Sequence, residues 1–127
     1  MNGQQIGIKL ADGSFYPVLS EGDHIRKRLV VTTIRDNQES VQIDLYKGAG
    51  EVVDETDYIG TLMIENIQPA PMKEPEVEVV LGVDEQGNFE ATASDAVTGE
   101  SQSLSVSLQS LSRGPAEYPE FELEREG

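Results

Sequence analysis

Apolar and polar positions alternate with a period of two along nearly the whole chain. Val77, Val79, Leu81 and Val83 alternate with Glu76, Glu78, Val80 and Gly82, and Leu104, Val106 and Leu108 alternate with Ser103, Ser105 and Ser107. Successive side chains of a strand point to opposite faces, so this pattern predicts strands with one buried and one wet face. The even row of serines suits a solvated sheet surface. Further strands are predicted over residues 6–10, 15–19, 29–34, 41–46, 58–67 and 88–94, giving about eight in all. No stretch carries the period of a convincing amphipathic helix.

Turn-forming residues separate these segments. Ala11-Asp12-Gly13, Asp36-Asn37-Gln38, Gly48-Ala49-Gly50, Asp84-Glu85-Gln86-Gly87 and Thr98-Gly99 all suit turns or positive φ. Short strands at this spacing point to a sandwich or barrel. Pro69, Pro71 and Pro75 lack backbone donors and favour extended chain, so residues 68–75 are expected to form a connector crossing between sheets. After Leu111 the composition changes, with Pro115, Pro119 and a dense acidic end. A domain over residues 6–111 is therefore expected, followed by a frayed or disordered acidic tail over 112–127.

At 127 residues the chain fits one domain with a real core. It has no cysteine, which removes disulfides and thiolate metal sites and agrees with a cytoplasmic location. Apolar runs are only a few residues long, against roughly 20 for a membrane-spanning helix. The net charge of −15 argues against binding to nucleic acid or an anionic membrane, since phosphate contacts need Lys and Arg. By the same reasoning a basic peptide is the weakly preferred partner.

Catalytic anchors are missing. The sole histidine, His24, lies in the acidic turn EGDH and is expected to be a solvated loop residue without a nucleophile to activate. None of GxSxG, HExxH, GxxxxGK[ST] or GxGxxG occurs. Glu51, Asp54, Glu55 and Asp57 form an acidic loop that lacks the ordered ligand pattern of an EF-hand, so no metal site is assigned. The chain is expected to be no enzyme.

The stretch 40–71 reads SVQIDLYKG, an acidic turn, then YIGTLMIENIQPAP. It resembles the peptide-binding β-domain of the heat shock protein 70 (DnaK-type) chaperones, in which VxIxxxxG is followed by a loop, then by a strand opening LGxF and closing on IxPAP. The matching positions are Val41, Ile43, Gly48, Ile59, Gly60, Leu62, Ile67, Pro69, Ala70 and Pro71. IGIKLADG upstream, the Asp36-Asn37-Gln38 turn, and the segments 75–89 and ATASDAVTGE downstream extend the resemblance to about residues 6–108. It implies an all-β fold, an antiparallel β-sandwich of about eight strands, acting as the substrate-binding domain of a chaperone in the stress response.

The resemblance also implies where binding occurs. Ile8, Val31, Val41, Ile43, Val77 and Val79 fall where the family lines a central hydrophobic pocket, with Val31 at a position that is often Phe. Ala11 and Ile34 match the two residues that arch over bound peptide, with small and large in the reverse of the order some members use. Leu10, Thr32 and Thr33 would flank the groove. Aliphatic residues at alternate strand positions also suit a core, and a completely buried, pocketless arrangement of them would sink the binding assignment. Met72 stands where the family often has an Arg that latches a helical lid.

The expected partners are unfolded or extended hydrophobic peptides, with co-chaperones acting on a longer protein. No cofactor is expected in this chain, because the resemblance assigns ATP and Mg to a separate ATPase domain; that domain and the lid are expected to be absent here. A rival reading is a sandwich that serves protein interaction without an open groove, self-associating through an edge strand. The tail is a further candidate, through the apolar residues between Pro115 and Phe121, for occupying the groove of a neighbouring copy.

Overall fold

A computed structural model describes residues 5–20, 22–48, 56–107 and 120–126. Nine strands follow in chain order: β1 (Gln5–Lys9), β2 (Phe15–Ser20), β3 (Arg26–Thr32), β4 (Val41–Gly48), β5 (Thr56–Ile64), β6 (Glu76–Val83), β7 (Asn88–Asp95), β8 (Ser101–Ser107) and β9 (Glu122–Glu126). They form two antiparallel sheets, one ordered β2-β1-β4-β5 and the other β8-β7-β6-β3-β9. The expected all-β sandwich is the fold of this chain. The ninth strand is a difference from the expectation.

The period-two pattern works as predicted. Val77, Val79, Leu81 and Val83 of β6 are buried, as are Phe89, Ala91 and Ala93 of β7 and Ile6 and Ile8 of β1. These inward residues, with Leu29 and Val31 of β3 and Val41, Ile43 and Leu45 of β4, form one continuous core between the sheets. Each such aliphatic side chain contributes about 1.5–3 kcal/mol by leaving water. Ser103 and Ser105 of β8 are exposed while Leu104 and Val106 pack against the core, so the serine row does lie on the wet face.

The four-stranded sheet departs from simple alternation. On its outer side Lys9 and Asp44 are also buried, with Lys9 Nζ 3.9 Å from Asp44 Oδ2. Asp44 Oδ1 accepts hydrogen bonds from Gln42 Nε2 at 3.0 Å and Thr61 Oγ1 at 2.8 Å. Tyr46 is buried beside Lys9, 6.0 Å from the ammonium to the ring centre, and packs edge-on against Tyr58. Removing either charge would strand the other, a loss of about 3–5 kcal/mol for buried pairs.

Turns fall where the sequence places them. Gly13, Gly87 and Gly99 have positive φ, and Asn37 takes φ 57° within the Asp36-Asn37-Gln38 turn. Of the Gly48-Ala49-Gly50 turn, Gly48 is the buried last residue of β4, and the other two lie outside the described residues. Asp84 closes the β6–β7 turn, its Oδ1 accepting from the backbone N–H of Gln86 and Asn88 at 2.9 Å each. At the edges, the backbone N–H groups of Met63 and Glu65, beside β8, donate to Gln102 Oε1 and Glu100 Oε2. Such side-chain acceptors cover backbone donors that an open sheet edge would leave available to another chain.

The tail over 112–127 was expected to fray, and for residues 120–126 that expectation is corrected. Phe121 is buried, and β9 pairs with β3, placing Leu123 opposite Val31 and Glu122 opposite Thr32. The physical reason is visible in the sequence around it: Glu120, Phe121, Glu122, Leu123 and Glu124 alternate with period two, which outweighs their acidity once a sheet edge is available. Residues 112–119 and 127, and the end of the expected domain at 108–111, lie outside the described residues.

Two outcomes follow from the packing. A Cβ on Gly7 would lie 1.9 Å from the Tyr16 carbonyl oxygen, at the point where the β1–β2 register shifts. Gly7→Ala should lower the free energy of urea unfolding by about 3 kcal/mol, through backbone displacement. The Asp84 carboxyl is held below its ordinary value of 3.8 chiefly by the Asn88 N–H. A depressed carboxyl stabilises the fold above its unfolded value and loses that contribution as pH falls through the folded one. Asp84→Asn should therefore make the urea midpoint fall less steeply with acidification below 3.8.

Candidate functional site

One end of the sandwich collects all the loops that matter. Ile8 of β1 faces Leu45 and Gln5 faces Gly48, so β1 ends over the first half of β4. Val41 faces Ile64, so β5 ends there too. Thr32, the last residue of β3, faces Glu76 at the start of β6 and Glu122 at the start of β9. The β1–β2 turn and two of the three crossovers between sheets, residues 33–40 and 65–75, therefore lie at the same end.

Hydrogen bonds tie these two crossovers to each other. Asn37 N–H donates to the Ala70 carbonyl at 2.8 Å, Ile67 N–H to Glu39 O at 3.0 Å, and Met72 N–H to Asp36 Oδ1 at 2.9 Å. Lys73 N–H reaches both the carbonyl and Oγ1 of Thr33 at 3.2 Å, and Thr32 Oγ1 donates to Pro75 O at 2.6 Å. Prolines 69, 71 and 75 cannot donate, and the connector bonds through what remains: Ile67, Met72 and Lys73 N–H donate to Glu39, Asp36 and Thr33, while the Ala70 and Pro75 carbonyls accept from Asn37 and Thr32.

Gln38 is the polar centre of the site. It is 3% exposed. Its Oε1 accepts from Ile34 N–H at 3.0 Å, and its Nε2 donates to Ser40 O at 2.8 Å and to Glu120 O at 2.5 Å. A single side-chain amide thus shapes the loop and fastens a separate extended segment to it. Arg35 pairs with the Glu120 carboxylate, and Lys73 Nζ lies 3.5 Å from Glu122 Oε1.

The structure brings the six pocket candidates together, but as closed core. Ile8, Val31, Val41, Ile43 and Val79 have no exposed surface, and Val77 has 1%. Phe121 belongs to the same buried cluster. It lies two residues before Leu123, hence on the same side of β9, and Leu123 is opposite Val31. Of the groove residues, Ala11 is exposed in the β1–β2 turn, Leu10 and Ile34 are half-buried, and Thr32 and Thr33 are buried. In the sequence Gln38 stands out only as part of a turn, and Phe121 only within a tail that is a candidate for the groove of a neighbouring copy, not of its own domain. The period-two alternation around Phe121 was the available signal.

Among the described residues little else at the surface offers chemistry. Exposed His24 sits with Nδ1 3.1 Å from the Asp84 carbonyl oxygen, beside an open hollow between the β2–β3 loop and the outer face of β6 and β7. Among the described residues no cluster of acidic or histidine side chains is arranged to hold a metal. Glu51, Asp54 and Glu55 lie outside the described residues, and Asp57 is exposed. No helix among the described residues is long and apolar enough to cross a membrane.

Comparison with known proteins agrees with this architecture. A family profile described as Hsp70 protein matches residues 3–119. The chain is 31% identical over 107 residues to the chaperone protein DnaK of Mycoplasmoides gallisepticum, covering 83% of this chain and 18% of that protein. It is 32% identical over 103 residues to the chaperone protein DnaK of Thermotoga petrophila, covering 80% of this chain and 17% of that protein. The mitochondrial-type heat shock protein 70 of Encephalitozoon cuniculi is 34% identical over 103 residues, with the same coverage. The β-sandwich is thus a chaperone-related domain, and the chain belongs to the Hsp70 family. It spans less than one fifth of the length of these relatives.

Gln38 supplies a direct check on the site geometry. Gln38→Ala, which orphans Ile34 N–H and two carbonyls, should cost about 2 kcal/mol in urea unfolding. Gln38→Glu keeps the acceptor but turns both donor contacts into repulsions, so at neutral pH it should destabilise at least as much.

Proposed function

We propose that this domain holds extended apolar segments of non-native proteins, as the substrate-binding domain of a heat shock protein 70 chaperone. One observation carries the reading: the edge of β3 already holds an extended segment, with its aromatic side chain inserted into the core and its carbonyl bonded to Gln38. Strand addition of this kind gets affinity from main-chain hydrogen bonds and specificity from alternate side chains. Ile8, Val31, Val41, Ile43, Val77 and Val79 form the apolar lining, and Leu10, Ala11, Thr32, Thr33 and Ile34 the rim.

On this reading the domain performs no chemistry and needs no cofactor. ATP and Mg belong to a separate domain, through which co-chaperones and nucleotide act on peptide exchange. The setting is the cytoplasm, and the role is in the response to stress. The rival, an interaction or self-association module without a groove, is favoured by the closure of the six lining residues.

Titration of a fluorescent leucine-centred peptide separates the two. Saturable binding that Ile34→Ala weakens about fivefold, the loss of part of one apolar contact, is the result expected. Absence of binding at peptide concentrations up to about 1 mM, less than about 4 kcal/mol of affinity, would overturn the reading. Concentration-dependent dimers that peptide does not dissolve would then identify the rival.

A further inference from the structure

The segment that fills the edge of β3 is the chain's own, and its chemistry is specific. Phe121 is 1% exposed within the core cluster, and Leu123, half-buried, packs against it. Between and beside them stand Glu120, Glu122 and Glu124. Two of these acids meet cations fixed to the loop end: Arg35 pairs with Glu120, and Lys73 with Glu122. Both cations belong to crossovers held together by the bonds from Asn37 and Met72.

We propose that residues 120–126 occupy the domain's own peptide site, and that the site favours extended segments of the form Phe-x-Leu flanked by acidic residues. The proposal rests on the peptide-holding function above and names the substrate class for that site. It runs against the expectation from net charge. A total of −15 steers basic ligands at long range, but Debye screening limits that field to about 8 Å at physiological salt. At contact distance the groups facing the bound carboxylates are Arg35 and Lys73. Local charge therefore decides preference.

Energetic considerations make the occupant displaceable. The ion pairs involve side chains that are 44–61% exposed, each a weak contact in water. The main-chain ladder of β9 is short, and an incoming strand of the same pattern reproduces every one of its bonds. What holds β9 in place is chiefly Phe121 and the high effective concentration of a segment tethered to its own site.

Three labelled peptides test this on the full chain and on its Phe121→Ala variant: residues 119–125 as they stand, the same peptide with lysine for each glutamate, and the neutral leucine-centred peptide. The variant should bind the native-sequence peptide at least about tenfold tighter than wild type does, since the intramolecular competitor is weakened. It should also prefer that peptide over its lysine counterpart by about threefold to tenfold, the effect of two exposed pairs. Equal affinity of a folded variant and wild type for the neutral peptide would overturn self-occupancy and leave peptide holding intact. A preference for the lysine peptide would overturn the acidic specificity. Failure of both proteins to bind any of the three up to about 1 mM would instead sink the peptide-holding reading itself.

Should Phe121→Ala not fold, amide exchange in the wild type decides. Saturation with the neutral peptide should deprotect the amides of residues 122–125 by at least about tenfold, as expected for a strand driven off its edge. Unchanged protection in the saturated complex would overturn the proposal.

Discussion

Every backbone group withdrawn from water needs a partner, and at the loop end of this sandwich no strand provides one. The chain crosses between sheets twice there, along residues 33–40 and 65–75. A connector with prolines at 69, 71 and 75 forms no ladder of its own, so several of its remaining N–H groups and carbonyls are met by residues 32–39. Asn37 meets Ala70, Lys73 in turn donates to Thr33, and Asp36 accepts from Met72. Motifs that look independent in the sequence, the Asp36-Asn37-Gln38 turn and the Ile67-to-Pro71 segment, are two halves of one hydrogen-bonded unit. The positions of β3, β4 and β6, and hence the alignment of the core, depend on it.

That unit also presents a docking edge. By fixing Gln38 between the backbone of Ile34 and Ser40, it directs one further amide hydrogen at the Glu120 carbonyl. The edge of β3 beside it, on the side away from β6, is the one that β9 fills. Backbone bonding and apolar insertion together hold residues 120–126 in extended form at that edge. The apolar lining belongs to the same core that stabilises the domain. An occupant that contributes an aromatic side chain therefore stabilises the fold as well as filling the site.

The buried Lys9–Asp44 pair on the opposite side of the four-stranded sheet shows the same economy in a different form. Asp44 is placed by Gln42 and Thr61, and Lys9 lies beside the Tyr46 ring, so a charge pair that is costly to desolvate sits among oriented polar and aromatic groups. A strict inside-outside alternation would have left both residues in water.

Strand existence, turn positions and the apolar face of nearly every strand were legible in the residues, because alternation with period two and glycine or asparagine at turns are local properties. Val77 to Val83 and Ser103 to Val106 show their facing without any partner in view. The family, too, was legible from the order and spacing of short motifs between residues 6 and 108. Pairing across long separations was not. Nothing local to Glu122–Glu126 says that it will lie against β3, although its alternation marks it as able to form a strand. The closure of the pocket, the bonding of Gln38 to Glu120, and the meeting of Arg35 and Lys73 with acidic residues some fifty to eighty-five positions later were decided only in three dimensions. An unpaired sheet edge is a demand created by the tertiary fold, and only the folded chain shows which segment meets it.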